Sequence, residues 1–261
     1  MTWLRTAIAC AVLASLPAAC GSSTPASDVD PETALSEVTE RTLAEGSAHV
    51  HAYSPSKGDP VRPDWDTRGD ISFANQEARL TDGGELSIYK PSAIWKRTPS
   101  AAVFGPGKKW IRLPRPVGPS IWDDRIRLRV YLAAGVTRSA APEESEIAGV
   151  ETLHYDTNVD VEQALKAVPE ESRLLAQDAL KSLLLGRMGR VEFWVDQEGR
   201  LRRIQVTVPP GRVYSYSGPD GSQKRLESVS TVVGTLDYSN FGVNVDTTPP
   251  PDEEVADPSK S

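Results

Sequence analysis

The chain has 261 residues, and 36 acidic against 29 basic side chains give it a net charge of −7 at pH 7. Binding of nucleic acid depends on a basic surface, so this composition argues against a nucleic-acid partner. The length is sufficient for one large hydrophobic core.

The first residues have the pattern of an export signal. Arg5 is followed by an apolar run from Thr6 to Leu16 and then by small residues ahead of Cys20. This run is too short to span a bilayer, which requires about 20 apolar residues. The sequence therefore predicts a signal peptide over residues 1–19, removed on export.

The residues around Cys20 resemble a bacterial lipobox, in which the cysteine is cleaved at its amine and acylated. The leucine usual three positions before the cysteine is replaced by Pro17, so a secretory signal with an Ala-Ala cleavage site is the alternative. Residues 20–30 are polar and predict a flexible tether. We expect a diacylglycerol and palmitate anchor at Cys20, which places the chain on the extracytoplasmic face of the cell membrane.

Cysteine use agrees with this interpretation. Cys10 lies within the signal and Cys20 would be acylated, and the chain has no further cysteine. The mature domain would then contain no disulfide, no cysteine nucleophile and no cysteine ligand for a metal.

The mature chain begins with a helix followed by short strands. A side-chain cap at Asp30 and a proline at the first position predict a helix over 31–45, ended by Gly46. Alternating residues then predict an antiparallel meander with a hairpin turn at 82–84. Its strands are expected over 48–53, 70–73, 78–81, 85–90, 93–96, 101–104 and 109–112.

The second half combines helices and strands. Residues 121–134 fit both a helix and a strand pattern, and 149–158 predict a strand. Helices are expected over 161–167 and from Pro169 to Gly186, the second with a leucine-rich stripe. Strands return over 190–195, 201–208, 212–217 and 223–238, with hairpins at 196–199 and 218–221.

These elements predict an α+β fold in one domain over 31–245. The economical arrangement is a strongly curved antiparallel sheet, a half-barrel, with helices on its concave face. From Asp246 to Ser261, prolines and acidic residues predict an extended, solvated and disordered tail.

The mature chain resembles the LppX/LprG-type lipoproteins of high-GC Gram-positive bacteria. The resemblance is carried by residues 149–155 ahead of Val159-Asp160, by 191–196 with Gly199, and by the ending 237–245. It implies a half-barrel related in shape to the lipoprotein carrier LolA. The implied function of such a half-barrel is to hold acyl chains of a lipid or glycolipid between its sheet and its helices. It brings no catalytic motif.

A lipid carrier requires an apolar cavity beneath a helical lid. The residues predicted to line it are Ile88, Ile94, Trp95, Val103, Trp110, Leu180, Leu183 and Leu184. A filled core is the alternative, and the chain would then be an envelope sensor or interaction module that binds a protein partner and carries no lipid.

Other chemistry has weaker support in the sequence. His49, His51 and His154 are zinc-type ligands, but no carboxylate–histidine signature accompanies them, so we expect surface histidines and no metal site. The basic cluster at 125–129 is interpreted as a solvated face. No nucleophile–base pair or phosphate loop is present, so we expect neither an enzyme nor a cofactor.

Overall fold

The structure is a computed structural model that describes residues 31–54, 65–114, 137–138, 141–158, 170, 190–208, 213–217, 223–227 and 232–258. The predicted signal peptide, Cys20, the tether, the element at 121–134, the helix over 161–167 and, apart from residue 170, the helix over 169–186 lie outside these residues.

The described chain consists mainly of strands. A helix α1 (Pro31–Ala44) comes first, and 3₁₀ helices cover Pro99–Phe104 and Asp252–Glu254. The strands are β1 (Ser47–Ser54), β2 (Trp65–Ser72), β3 (Glu77–Asp82), β4 (Glu85–Lys90), β5 (Ala93–Arg97), β6 (Trp110–Pro114), β7 (Thr137–Arg138), β8 (Glu143–Ile147), β9 (Val150–Asn158), β10 (Arg190–Asp196), β11 (Leu201–Val208), β12 (Val213–Ser217), β13 (Gln223–Glu227), β14 (Val232–Ser239) and β15 (Val255–Ala256).

Thirteen strands form one sheet in the order β15-β6-β5-β4-β3-β2-β1-β14-β11-β10-β9, with β7 and β8 both on the far edge of β9. Strand β14 lies between β1 and β11 and so joins the two meanders into one surface. All pairs in the described sheet are antiparallel except β15–β6. The two edges do not pair with each other within the described residues, so the sheet is open there.

The strand register sorts the side chains onto two faces, because directly paired residues project to the same side of a sheet. We call one side the apolar face. Its buried members are Ala48, Val50, Ile71, Ala78, Tyr155, Val191, Phe193, Ile204, Val206 and Tyr238, all in the main hydrophobic cluster. The opposite side, the polar face, carries most of the charged residues of the same strands.

Helix α1 packs on the apolar face through Val38 and Leu43. The buried Thr42 hydroxyl donates to the carbonyl of Val38 (2.7 Å) and accepts from the backbone N–H of Leu201 (2.9 Å). This contact fixes the end of the helix to the start of β11. The helix predicted over 31–45 is confirmed to within one residue.

Gly69 lies within β2, where the adjoining strand approaches closely. A Cβ atom at this position would lie 2.0 Å from the carbonyl oxygen of Arg79 on β3. No larger residue fits without moving the backbone, so the glycine is required by the β2–β3 pairing.

The strand predicted over 101–104 is wrong, since residues Pro99–Phe104 form a 3₁₀ helix. Strands β5 and β6 pair directly with each other, with Arg97 opposite Trp110. Residues 98–109 connect these two strands, so a strand formed by them could not lie between β5 and β6 in the sheet. Pro99 also lacks an N–H group for a sheet ladder and favours a helical start.

The strand predicted over 223–238 is two strands in two sheets. Strand β13 pairs with β12 in a separate hairpin, whereas β14 enters the large sheet. The hairpin predicted around 218–221 is thus confirmed by its flanking strands. The apolar alternation continued through both and gave no sign of the change of sheet.

The solvated tail predicted from Asp246 is at odds with the structure over residues 246–258. Val255 and Ala256 add a strand to the edge of β6, and the backbone N–H of Lys109 donates to the carbonyl of Glu254 (2.9 Å). Acidic side chains of this segment pair with basic ones of the edge, Glu254 with Lys109 and Asp257 with Arg112. The composition of this segment does not reveal its ion-pair partners, because they lie about 145 residues earlier in the chain.

Candidate functional site

Five of the residues predicted to line a cavity, Ile88, Ile94, Trp95, Val103 and Trp110, are described, and they do not share one surface. Ile88 pairs directly with Trp95, and Trp110 pairs with Arg97, which places these three on the polar face. Ile94 pairs with Tyr89 and Leu113 and lies on the apolar face. Val103 lies in the 3₁₀ helix and is 79% exposed.

Ile88 and Trp110 belong to a second, smaller group of buried residues at the β4–β6 edge. Its other members are Ala93 on β5, Ala101 in the 3₁₀ helix and Ala256 on β15, and none of them is in the main cluster. The docked C-terminal segment and the 3₁₀ helix therefore accompany a local core. Leu180, Leu183 and Leu184 lie outside the described residues, and the lining of a cavity by all these residues stays a prediction.

A continuous apolar row crosses the apolar face perpendicular to the strands. Direct pairing from β6 to β1 links Leu113, Ile94, Tyr89, Ala78, Ile71 and Ala48. We call this set the Leu113 row. At one strand spacing of about 4.8 Å per step, it is about 24 Å long.

Exposure falls steadily along the Leu113 row. Leu113 at the sheet edge is 40% exposed, Ile94 and Tyr89 are half-buried, and Ala48 at the other end is fully buried. The row thus forms an apolar path from the surface at β6 to the main cluster under α1. The sequence prediction included Ile94 but missed Leu113 and Tyr89. Side chains alternate between the two faces along a strand, so the pairing of β4 and β6 with β5 would have assigned both residues to the face of Ile94.

The polar face carries paired charges beside some buried positions, among them Trp194 and Glu192. Each histidine is paired with a carboxylate: His49 with Asp70 (2.7 Å), His51 with Asp66 (3.1 Å) and His154 with Glu192 (3.2 Å). No group of three or more metal-ligating side chains occurs among the residues that the structure describes.

A stacked cluster lies on the polar face towards the β9 edge of the sheet. The ring of Trp194 stacks on His154 (4.3 Å between centroids, 6° between planes), and the guanidinium of Arg203 lies 5.8 Å from the Trp194 ring. Arg203 also donates two hydrogen bonds to Asp237, which raise the pKa of Arg203 above its usual value. Such a paired guanidinium over an indole ring stabilises the sheet and leaves no free group for chemistry.

Further ion pairs lie within and between strands of the polar face. Within β2, two hydrogen bonds from Arg68 lower the pKa of Asp66. Between β10 and β9, hydrogen bonds from Arg190 to Asp156 raise the pKa of Arg190. The candidate functional site is therefore the apolar face and its Leu113 row, rather than any titratable cluster.

Within the described ranges, no helix is both long enough and apolar enough to cross a membrane.

No protein-family model matches the sequence, and no curated protein sequence is significantly similar to it. Solved structures similar to this chain include the lipoprotein LppX of Mycobacterium tuberculosis, at 15% identity and a TM-score of 0.46, over 84% of this chain and 100% of LppX. LprF from Mycobacterium bovis matches at 13% identity and a TM-score of 0.41, over 84% of this chain and 96% of LprF. A LolA superfamily protein from Nitrosomonas europaea matches at 11% identity and a TM-score of 0.26, over 81% of this chain and 92% of that protein.

These structures belong to the same group of proteins, LppX-type lipoproteins and LolA-like proteins, that the sequence resembles. Each TM-score is below 0.5, so the likeness is partial, and the properties of the site follow from the residues of this chain.

Proposed function

We propose that this chain is a lipoprotein of the cell envelope, anchored through Cys20, that holds an acyl chain of a lipid or glycolipid against the apolar face of its sheet. The observation that carries the proposal is the Leu113 row, an apolar path that leads from an exposed sheet edge to the buried core.

The dimensions of the row suit an acyl chain. One leaflet of the hydrocarbon core of a bilayer is roughly 15 Å thick, and the row is about 24 Å long. Transfer of each methylene from water to an apolar surface is favourable by about 0.8 kcal/mol, so a chain lying along the row would bind usefully.

The area of the apolar face also leaves room for more than α1. The sheet is roughly 50 Å wide at 4.8 Å per strand, whereas α1 has 14 residues and is about 21 Å long. We propose that the leucine-rich helix predicted from Pro169 to Gly186 covers a further part of this face, on its concave side. This is the half-barrel arrangement that the sequence resemblance implies.

Native mass spectrometry of the protein purified from its own host tests the proposal. We expect an adduct with the mass of an acylated molecule, released in organic solvent. Ile94→Gln should reduce adduct occupancy severalfold, because a polar group would interrupt the row. Trp95→Gln is the matched control, since it changes the adjacent residue on the opposite face and should leave occupancy unchanged.

A second variant distinguishes an open cavity from a filled core. Leu180→Trp should lower lipid uptake and leave the melting temperature unchanged if the stripe faces a cavity. In a filled core the same change would overpack the interior and cost about 1–3 kcal/mol. A destabilised Leu180→Trp protein, together with a wild type that never carries lipid, would contradict the proposal and favour an interaction module that binds a protein partner.

A further inference from the structure

The C-terminal segment, residues 246–258, is held to the sheet at two separate places. At the first, the Thr247 hydroxyl donates to the Glu77 carboxylate (2.5 Å) and Asp246 pairs with Arg79 (3.7 Å), both on the polar face of β3. At the second, β15 pairs with the edge of β6. The segment therefore crosses from β3 to β6, three strands or about 14 Å away.

Three prolines form the link between these two attachments. Residues 249–251 are all proline, and Pro251 has the backbone angles of polyproline II (φ −57°, ψ 138°). A polyproline II chain is semi-rigid and advances about 3.1 Å per residue. This stiff link holds β15 close to β6 even when the two strands are not paired.

Strand β15 is held less firmly than the long strands of the sheet. Its ladder with β6 consists of two residues, Val255 and Ala256. The ion pairs of Lys109 and Arg112 with this segment are partly exposed, and exposed ion pairs contribute little to stability. The strand can therefore leave the edge of β6 at a lower cost than unfolding of the central strands.

Docked β15 adds a further apolar position to the apolar face. Paired residues project to the same side of a sheet, and Ala256 is opposite Ile111, which lies two positions before Leu113 and on the same face. Ala256 is therefore on the face of the Leu113 row, one strand beyond its outer end, and it is buried. Two residues further along, the half-buried Pro258 comes to the level of Leu113.

The segment lies beside the open end of the row and does not cover it. Leu113 keeps 40% of its surface exposed while β15 is docked. An acyl chain that reaches Leu113 can therefore continue across β6 onto the apolar residues Ala256 and Pro258. Without the segment, the same part of the acyl chain would face water at a bare strand edge.

Given the proposed function, we propose that the C-terminal segment forms the outermost part of the acyl-chain site and docks more firmly when an acyl chain is bound. The coupling is reciprocal by linkage. If the docked segment raises the affinity for an acyl chain by some factor, a bound acyl chain favours docking by the same factor. The state of β15 thus depends on whether the row is occupied.

Amide exchange of residues 254–257 tests this coupling in the full chain. The Cys20→Ala chain is used, because it lacks the proposed acyl anchor and needs no detergent, and cis-parinaric acid, a fluorescent fatty acid, is the probe. We expect a saturating concentration of cis-parinaric acid to slow exchange in these residues severalfold. Exchange at residues 143–147, in β8 at the far edge of the sheet, is the internal control and should not change.

Variants of the segment measure the coupling in the reverse direction. Asp257→Asn removes the ion pair with Arg112 on the polar face and leaves the apolar face unchanged, so it should raise the Kd for cis-parinaric acid severalfold. Ala256→Asp, which frees the segment, should raise the Kd by a factor that approaches the slowing of amide exchange. Glu253→Gln, at an exposed position of the same segment, is the matched control and should leave the Kd unchanged.

Two contrary results have different meanings. Equal affinity of all these chains for cis-parinaric acid, or binding that leaves exchange of residues 254–257 unaltered, would overturn this role of the segment and leave the proposed function standing. An absent fluorescence increase, or one that Ile94→Gln does not reduce, would contradict the proposed function, and the role of the segment with it.

Discussion

At the scale of single residues, a step of one position decides whether a side chain enters the core or the polar surface. Phe193 and Trp194 are neighbours in β10 and face opposite sides of the sheet. Phe193 is fully buried in the main cluster, whereas Trp194 stacks between His154 and Arg203. The two aromatic residues therefore contribute to stability through different interactions.

Truncation of these two residues should have unequal effects. Phe193→Ala should lower the free energy of unfolding by about 3–5 kcal/mol, because it leaves a cavity in the main cluster. Trp194→Ala should also be destabilising, because the ring is 9% exposed and loses stacking and a cation–π contact, but it should cost less because water can enter the space left beside the charged side chains. Urea unfolding measures both values. A larger loss for Trp194→Ala would contradict the assignment of the two faces.

The Asp196 carboxylate is the buried centre of the β10–β11 turn, with no exposed side-chain surface. It accepts hydrogen bonds from the guanidinium groups of Arg200 (2.9 Å) and Arg202 (2.7 Å) and from two backbone N–H groups of the turn. Both guanidinium groups lie about 5 Å from the centre of the Phe241 ring. One carboxylate thus binds two guanidinium groups that are packed against an aromatic ring, and Arg200 also pairs with Glu45 and Glu198.

Replacement of Asp196 by Asn should be strongly destabilising. The change keeps the shape and removes the charge, so the partly buried Arg202 loses its carboxylate partner while Arg200 keeps Glu45 and Glu198. We expect a cost of about 3 kcal/mol. Glu37→Gln is the matched control, because Glu37 pairs with Arg41 on the exposed face of α1 and should contribute less than about 0.5 kcal/mol. Equal effects of the two substitutions on chemical denaturation would show that Asp196 does not organise the turn.

At the scale of elements, the edge of the sheet at β6 is covered by the chain itself. An exposed strand edge is a template for pairing with other molecules, and proteins commonly cover or charge it. Here β15 adds two residues beside Trp110 and Ile111, and ion pairs of Lys109 and Arg112 fasten the segment. The C-terminal segment therefore protects an edge of an open sheet.

Release of this segment should expose the edge of β6. Ala256→Asp places a charge at a buried position of β15 and should free the segment, which we expect to accelerate amide exchange at residues 110–112 and proteolysis after residue 246. Glu253→Gln, at an exposed position of the same segment, should change neither. The edge interpretation would fail if Ala256→Asp left amide exchange at β6 unaltered.

At the scale of the whole molecule, the main cluster lies on one face of the sheet and most of the ion pairs lie on the other. The apolar face contains the main cluster and the Leu113 row, and the polar face carries the histidine–carboxylate and arginine–carboxylate pairs. The proposed lipid-binding function would use this separation, since one face must stay compatible with water while the other accepts an acyl chain.

The proposed anchor at Cys20 would set where the molecule works. Cys20→Ala should release the protein from the membrane fraction or block removal of residues 1–19, because the thiol predicted to be acylated would be absent. Fractionation of cells and mass analysis of the N-terminus measure both outcomes. A protein that keeps its membrane retention with a normally cleaved N-terminus would contradict the lipobox interpretation in favour of an ordinary secretory signal.

The sequence by itself determined the local features of this protein. Alternation identified the strands of both meanders, and glycine-containing turns located the hairpins at 82–84 and 196–199, since these signals depend on neighbouring residues alone. The helix at 31–44 followed from its cap and its ending glycine. The strand predicted at 101–104 was wrong, because β5 and β6 pair with each other and residues 99–104 between them form a 3₁₀ helix.

Tertiary structure decided which surfaces these elements share. Alternation assigns Ile94 and Trp95 to opposite faces but does not say which face the core covers, because that depends on what packs above the sheet. The position of β14 between β1 and β11, and of β15 beside β6, depends on pairing between distant parts of the chain. The Leu113 row exists only after six strands align in register, and for that physical reason residue type alone did not reveal it.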